Sequence, residues 1–115
     1  MILHELGIRA TYTGYRYMID AIKVALDEKC DLGHITKDIY PEVAKRNRAS
    51  VWMIETNLRA VIERCWKRTN PENIEKYFPG RSGQRRPTNT EFLEGIVRYM
   101  TRHDEEGWGL EKFEK

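Results

Sequence analysis

Long apolar runs are missing from this chain of 115 residues, and so is most of what covalent or metal chemistry needs. No stretch approaches the ~18–20 apolar residues of a membrane span, and the start MILHELG lacks the basic and apolar regions of a signal peptide. A cytoplasmic protein without membrane contact is expected. There are only two cysteines, Cys30 and Cys65, far apart and in no Cys-x-x-Cys pair, which excludes a disulfide framework or a thiolate zinc site. Cys65 falls on an apolar helical stripe and reads as a small buried thiol. The histidines His4, His34 and His103 are scattered, with no His-x-x-x-His pair. The glycine-containing run GRSGQRR lacks the Gly-Lys-Ser/Thr ending of a nucleotide loop, and no serine has a local base and orienting group. No metal, no cofactor and no enzymatic activity are implied. Strand-type alternation is absent too, which leaves an all-α reading.

What is present fits one globular domain: 33% charged and 40% hydrophobic residues. The net charge of +2 is unevenly spread. Residues 1–40 carry 5 Lys/Arg against 6 Asp/Glu, residues 41–102 carry 13 against 7, and residues 103–115 carry 2 against 5. A positive central region suits a phosphate backbone, although solvated helix faces give the same count. The organised domain is placed at 1–102 and an acidic, flexible tail at 103–115.

About six helices are expected. The first, Met1 to Leu6, stops at Gly7. The second starts at Thr13 or Gly14 and lines one face with Tyr15, Met18, Ile19, Ile22, Ala25 and Leu26. A further piece begins near Ile35 or Thr36, carries Ile39, Tyr40 and Val43, and is bent or restarted at Pro41. Asn70-Pro71 caps a short helix through Tyr77, ended by Pro79-Gly80. Thr88-Asn89-Thr90-Glu91 reads as a capping box opening the last helix, whose core face is Phe92, Ile96, Val97 and Met100.

The run PEVAKRNRASVWMIETNLRAVIERCW, residues 41–66, is the most informative. It reads as a short helix, a basic four-residue turn, and a long helix of about 50–68 capped by Ser50. Ile54, Leu58, Val61, Ile62, Cys65 and Trp66 form its buried stripe. This is the outline of a helix-turn-helix whose second helix enters a DNA major groove. Met53, Glu55, Thr56, Asn57 and Arg59 are the base-reading candidates. Arg59 suits guanine, Glu55 a cytosine amine, Asn57 adenine if it is rotated far enough round, and Met53 and Thr56 a thymine methyl. Lys45, Arg46, Arg48, Ser50, Arg81, Arg85 and Arg86 are the phosphate candidates. Counting Lys45, Arg46, Arg48, Arg59 and one or two of the loop arginines as contacts predicts a log–log salt slope on the order of −5. Trp52 is assigned to packing over the turn or to a protein partner.

Several segments, in order, resemble the C-terminal DNA-binding domain family of stage 0 sporulation protein A, the sporulation response regulator. They are HELGI (4–8), GYRYMIDAI (14–22), ITKDIYPEVAKR (35–46), the I-E-x-x-L-R-x-x-I-E-x-x-W frame (54–66) and PTNTEF (87–92). The resemblance implies a six-helix domain that binds short promoter boxes, often as tandem copies, and contacts RNA polymerase. It matches Glu55 and Arg59, whereas Met53 and Thr56 stand where the family has arginines and Trp52 replaces a serine. In that family a phosphorylated receiver precedes the domain. These 115 residues have no room for one, so control by phosphorylation is not carried over, and either a free-standing relative or a fragment is expected.

The expected function is therefore sequence-specific binding of double-stranded DNA in transcriptional regulation, with a homodimer on paired half-sites. The competing reading is a protein-interaction module on the same fold. It would bind a regulator or polymerase subunit through Trp52, Met53, Trp108 and Phe113.

Overall fold

The computed structural model describes residues 2–27 and 32–102. Expectations placed on Cys30, His103, Trp108, Phe113 and the 103–115 tail lie outside the described residues. Among the described residues six α-helices follow one another: α1 (Ile2–Glu5), α2 (Gly14–Leu26), α3 (Tyr40–Asn47), α4 (Val51–Arg68), α5 (Pro71–Tyr77) and α6 (Asn89–Arg102). A 3-10 turn at Leu32–His34 and a π-helical turn at Ile35–Ile39 lead into α3. Among the described residues there is no strand, and no helix is long and apolar enough to cross a membrane.

The side-chain periodicity explains the packing. Along α4, Ile54, Leu58, Val61, Ile62 and Cys65 are buried. Trp66 is half-buried, edge-on to Phe78 at 5.5 Å. On α2 the expected Met18, Ile19 and Ile22 are buried, and so are Asp20, Ala21 and Val24. This helix contacts α3, α4 and α6, so its buried surface is wider than one stripe. On α6, Phe92, Ile96 and Met100 are joined in the core by Leu93 and Tyr99, while Val97 is only partly buried.

Local signals set the helix ends. Gly7 closes α1 at φ +73°, where the Ile8 amide donates back to Leu3 O at 2.9 Å. Pro41 falls in the first turn of α3, where its missing N–H is harmless, directly after the π-helical turn, whose Ile35 O accepts from the Tyr40 amide. Ser50 Oγ accepts from the Met53 amide at 3.1 Å, and Asn70 Oδ1 accepts from the Glu72 amide at 2.8 Å. The capping box is reciprocal: Thr88 N donates to Glu91 Oε1 (2.9 Å) and Glu91 N to Thr88 Oγ1 (3.1 Å).

Two buried polar side chains fasten helices that are distant in sequence. Asp20 of α2 accepts from Asn47 Nδ2 at the end of α3 (2.8 Å), and the same amide donates to Val43 O (2.8 Å). Asn89 at the start of α6 donates to the Tyr40 hydroxyl (2.8 Å) and to Glu55 O of α4 (3.2 Å). Both sets of bonds reach α3, and the second also reaches α4. Cys65 is buried as expected, and burial pushes its thiol up to about 11, which leaves it almost wholly protonated at neutral pH.

Candidate nucleic-acid interface

Three residues, Arg48, Ala49 and Ser50, join α3 to α4, one fewer than the four-residue turn read from the sequence. Arg48 adopts the left-handed conformation (φ 52°, ψ 43°) and is the one described non-glycine residue with positive φ. It lets the Ala49 amide reach Ala44 O at 3.0 Å, the hydrogen bond that ends a helix through a left-handed residue. The following β-region Ser50 then caps α4.

On a helix of 3.6 residues per turn, the buried Ile54–Leu58–Val61–Cys65 row leaves Trp52, Thr56, Arg59 and Glu63 on the opposite face. Arg59 is ion-paired to Glu55 one turn earlier, both about half exposed. The two line a groove of about 320 Å³ with Tyr40, Arg86, Thr88, Asn89 and Thr90. Arg86 also lies 3.8 Å from Glu63. Helix α6 therefore begins beside the exposed face of α4, held there by Asn89.

Asn57 does not share this face. Its side-chain amide donates to Met53 O at 2.8 Å, and the residue lines a groove on the other flank with Tyr12, Gly14 and Arg64. Trp52 does not pack over the turn: it is 71% exposed, with Val51 at 37% and Met53 at 39% beside it. Thr56 is partly buried.

Among the phosphate candidates, Lys45 and Arg48 are exposed with no ion pair among the described residues, and Arg46 pairs on the surface with Glu42 at 3.2 Å. The basic loop 80–87 is pinned. Trp66 Nε1 donates to Gln84 O (3.0 Å), the Gly80 amide donates to Glu75 Oε1 (2.6 Å), and Arg85 Nη1 donates to Glu91 Oε1 (3.1 Å). Arg81 Nη2 stands 3.6 Å from the same Glu91 oxygen. Arg81 and Arg85 thus converge on the capping carboxylate rather than on the α4 face.

Hydrogen bonds from Arg85 and from the Thr88 amide, with the charge of Arg81 added, hold the Glu91 carboxyl at about 2. A carboxylate held below its unfolded value stabilises the fold above the unfolded value, and that contribution is lost as pH falls through the folded one. Wild-type melting temperature should therefore fall between about pH 4.5 and 2 more steeply than that of Glu91→Gln, in thermal melts followed by circular dichroism. The difference should be small, because Arg85 is largely exposed and screened.

Among the described residues no three His, Cys, Asp or Glu side chains come together to hold a metal ion. The first turn of α4 is exposed, and so are Lys45 and Arg48 just before it in the chain.

The family model described as "Sporulation initiation factor Spo0A C terminal" matches residues 1–100. The chain belongs to this family. Spo0A C-terminal domains are helical DNA-binding domains of sporulation transcription control, which agrees with the all-helical fold and the three-residue turn between α3 and α4. Sequence reasoning missed the two amides that fasten this unit. Asn47 and Asn89 carry no local signal, since their partners Asp20, Tyr40 and Glu55 lie 27, 49 and 34 residues away.

Proposed function

We propose that this Spo0A-type domain is a sequence-specific transcriptional regulator that lays α4 along the major groove while α3 and the turn grip the backbone. The observation that carries this reading is the α4 face itself. Arg59 stands exposed opposite the buried stripe, and the half-exposed Glu55 on its flank makes a donor–acceptor pair with it. Glu55 suits a cytosine amine and Arg59 the neighbouring guanine. Met53 and Thr56 lie nearest a thymine methyl, Asn57 plays a supporting part through Met53 O, and Trp52 marks the leading end. Lys45, Arg46, Arg48, Ser50 and Arg86 hold phosphates; Arg81 and Arg85 order the loop that carries Arg86.

A second copy on an adjacent half-site would supply the contact area that one small domain lacks, and RNA polymerase is the further partner we propose. We place the protein in the cytoplasm, where its DNA target lies. Selection from a random duplex library with the purified chain tests the reading. Enrichment of one motif supports it. No enrichment rejects it in favour of a protein partner for Trp52 and Met53, which are exposed and apolar.

Arg48 supplies a second test. A left-handed backbone is strained for any side chain but easy for glycine, so Arg48→Gly should leave the fold as stable or raise it by up to about 1 kcal/mol. The same change removes one phosphate contact and should weaken binding on every duplex alike. Paired thermal melts and anisotropy titrations would register that opposition. Unchanged DNA affinity would remove Arg48 from the interface.

A further inference from the structure

Val51, Trp52 and Met53 are the three exposed large hydrophobic residues of the described chain, and they are consecutive. They occupy the first turn of α4, the part of a recognition helix that reaches furthest into a groove. The polar groups around them are already engaged. The Met53 amide is held by Ser50 Oγ, and Met53 O by the Asn57 amide. What this turn offers a partner is therefore apolar surface.

The charge around that surface decides the partner. Residues 43–54 hold Lys45, Arg46 and Arg48 and no carboxylate. The carboxylates on either side, Glu42 and Glu55, are already paired with Arg46 and Arg59, which leaves Lys45 and Arg48 as the unpaired charges beside the patch among the described residues. An apolar patch next to unpaired cations complements a surface that is apolar in the middle and anionic at its edges. A major groove with thymine 5-methyl groups between two phosphate rows is such a surface.

We infer that Trp52 and Met53 read thymine by burying its 5-methyl group, so that the leading end of α4 selects a thymine-containing step by apolar contact rather than by hydrogen bonding. This rests on the DNA-reading function proposed above. Each buried methyl group should contribute about a fourfold factor in affinity.

The test uses the full chain and the duplex recovered by selection, with each thymine replaced singly by deoxyuridine. That exchange removes the methyl group and keeps every hydrogen-bonding group. Affinity should fall about fourfold at one or two adjacent thymines and stay unchanged at the others. Trp52→Ala, confirmed folded by circular dichroism, should bind more weakly and lose that sensitivity. Uniform tolerance of deoxyuridine, a recovered motif without thymine, or undiminished sensitivity in both Trp52→Ala and Met53→Ala would overturn the inference while leaving DNA reading intact. Wild-type affinity in Trp52→Ala would also overturn it and assign the patch to a protein. Failure to recover any motif would remove the DNA reading itself, and this inference with it.

Discussion

Arg59→Ala should lower affinity for the selected duplex by roughly 5- to 150-fold, the range expected for losing one well-formed contact to a base. On an unrelated duplex the same substitution should remove no more than one phosphate-scale contact. The difference between the two measures base reading. Glu55 makes the prediction sharper, because it is ion-paired with Arg59 across one helical turn. A surface pair of this kind stabilises a helix by only about 0.3–0.5 kcal/mol, so removing Arg59 should scarcely change the melting temperature. Glu55→Gln should narrow the same ratio from the other side: it frees the guanidinium and raises affinity for unrelated duplexes. Anisotropy titrations of both variants on matched and scrambled duplexes would separate the two roles. Equal losses on both duplexes in Arg59→Ala would reduce Arg59 to a phosphate contact.

Gly14→Ala should destabilise the fold by about 1–3 kcal/mol, a melting temperature lower by on the order of 5–15 °C. A methyl group at Gly14 would stand 2.4 Å from Val61 Cγ2 and 2.8 Å from Asn57 O. Neither neighbour can yield cheaply. One is a β-branched side chain in the core, the other the backbone of the candidate recognition helix. Here α2 passes so close to α4 that only a residue without Cβ fits. Accommodating alanine means moving α4 relative to α2, so DNA affinity should fall along with stability. Adding Val61→Ala relieves one clash and leaves the other, so rescue should be partial. A stable Gly14→Ala variant with unchanged binding would show that the α2–α4 approach does not position the reading face.

The sequence was most legible where one element explains itself. The apolar spacing of α4, its Ser50 cap, and the Thr88–Glu91 box each depend on residues within a turn or two, and the structure has them where the pattern puts them. Long-range packing was less legible. Asp20 looks like a surface carboxylate on an amphipathic helix until Asn47 is found against it. Asn89 looks like part of a cap until Tyr40 and Glu55 O are found on its amide.

The loop arginines illustrate the same limit. Charge counting groups Arg81, Arg85 and Arg86 together. The fold turns the first two onto Glu91 and brings only Arg86 beside Arg59. Trp52 was legible in part. Helical spacing puts it off the buried stripe but keeps packing over the turn and partner contact both open, and the fold leaves it 71% exposed.

The central claim is that this face holds DNA through a small, defined set of cations and reads it through α4. It is tested most directly by titrating the selected duplex at several salt concentrations. With Lys45, Arg46, Arg48 and Arg59 at the backbone or groove edge and Arg86 beside them, the log–log slope should be about −4. That is slightly shallower than the sequence alone implied, because Arg81 and Arg85 are committed to Glu91. A slope near −4 that becomes about one unit shallower in Arg48→Gly is the predicted result. A slope close to zero, unaffected by that substitution, would contradict DNA binding by this face.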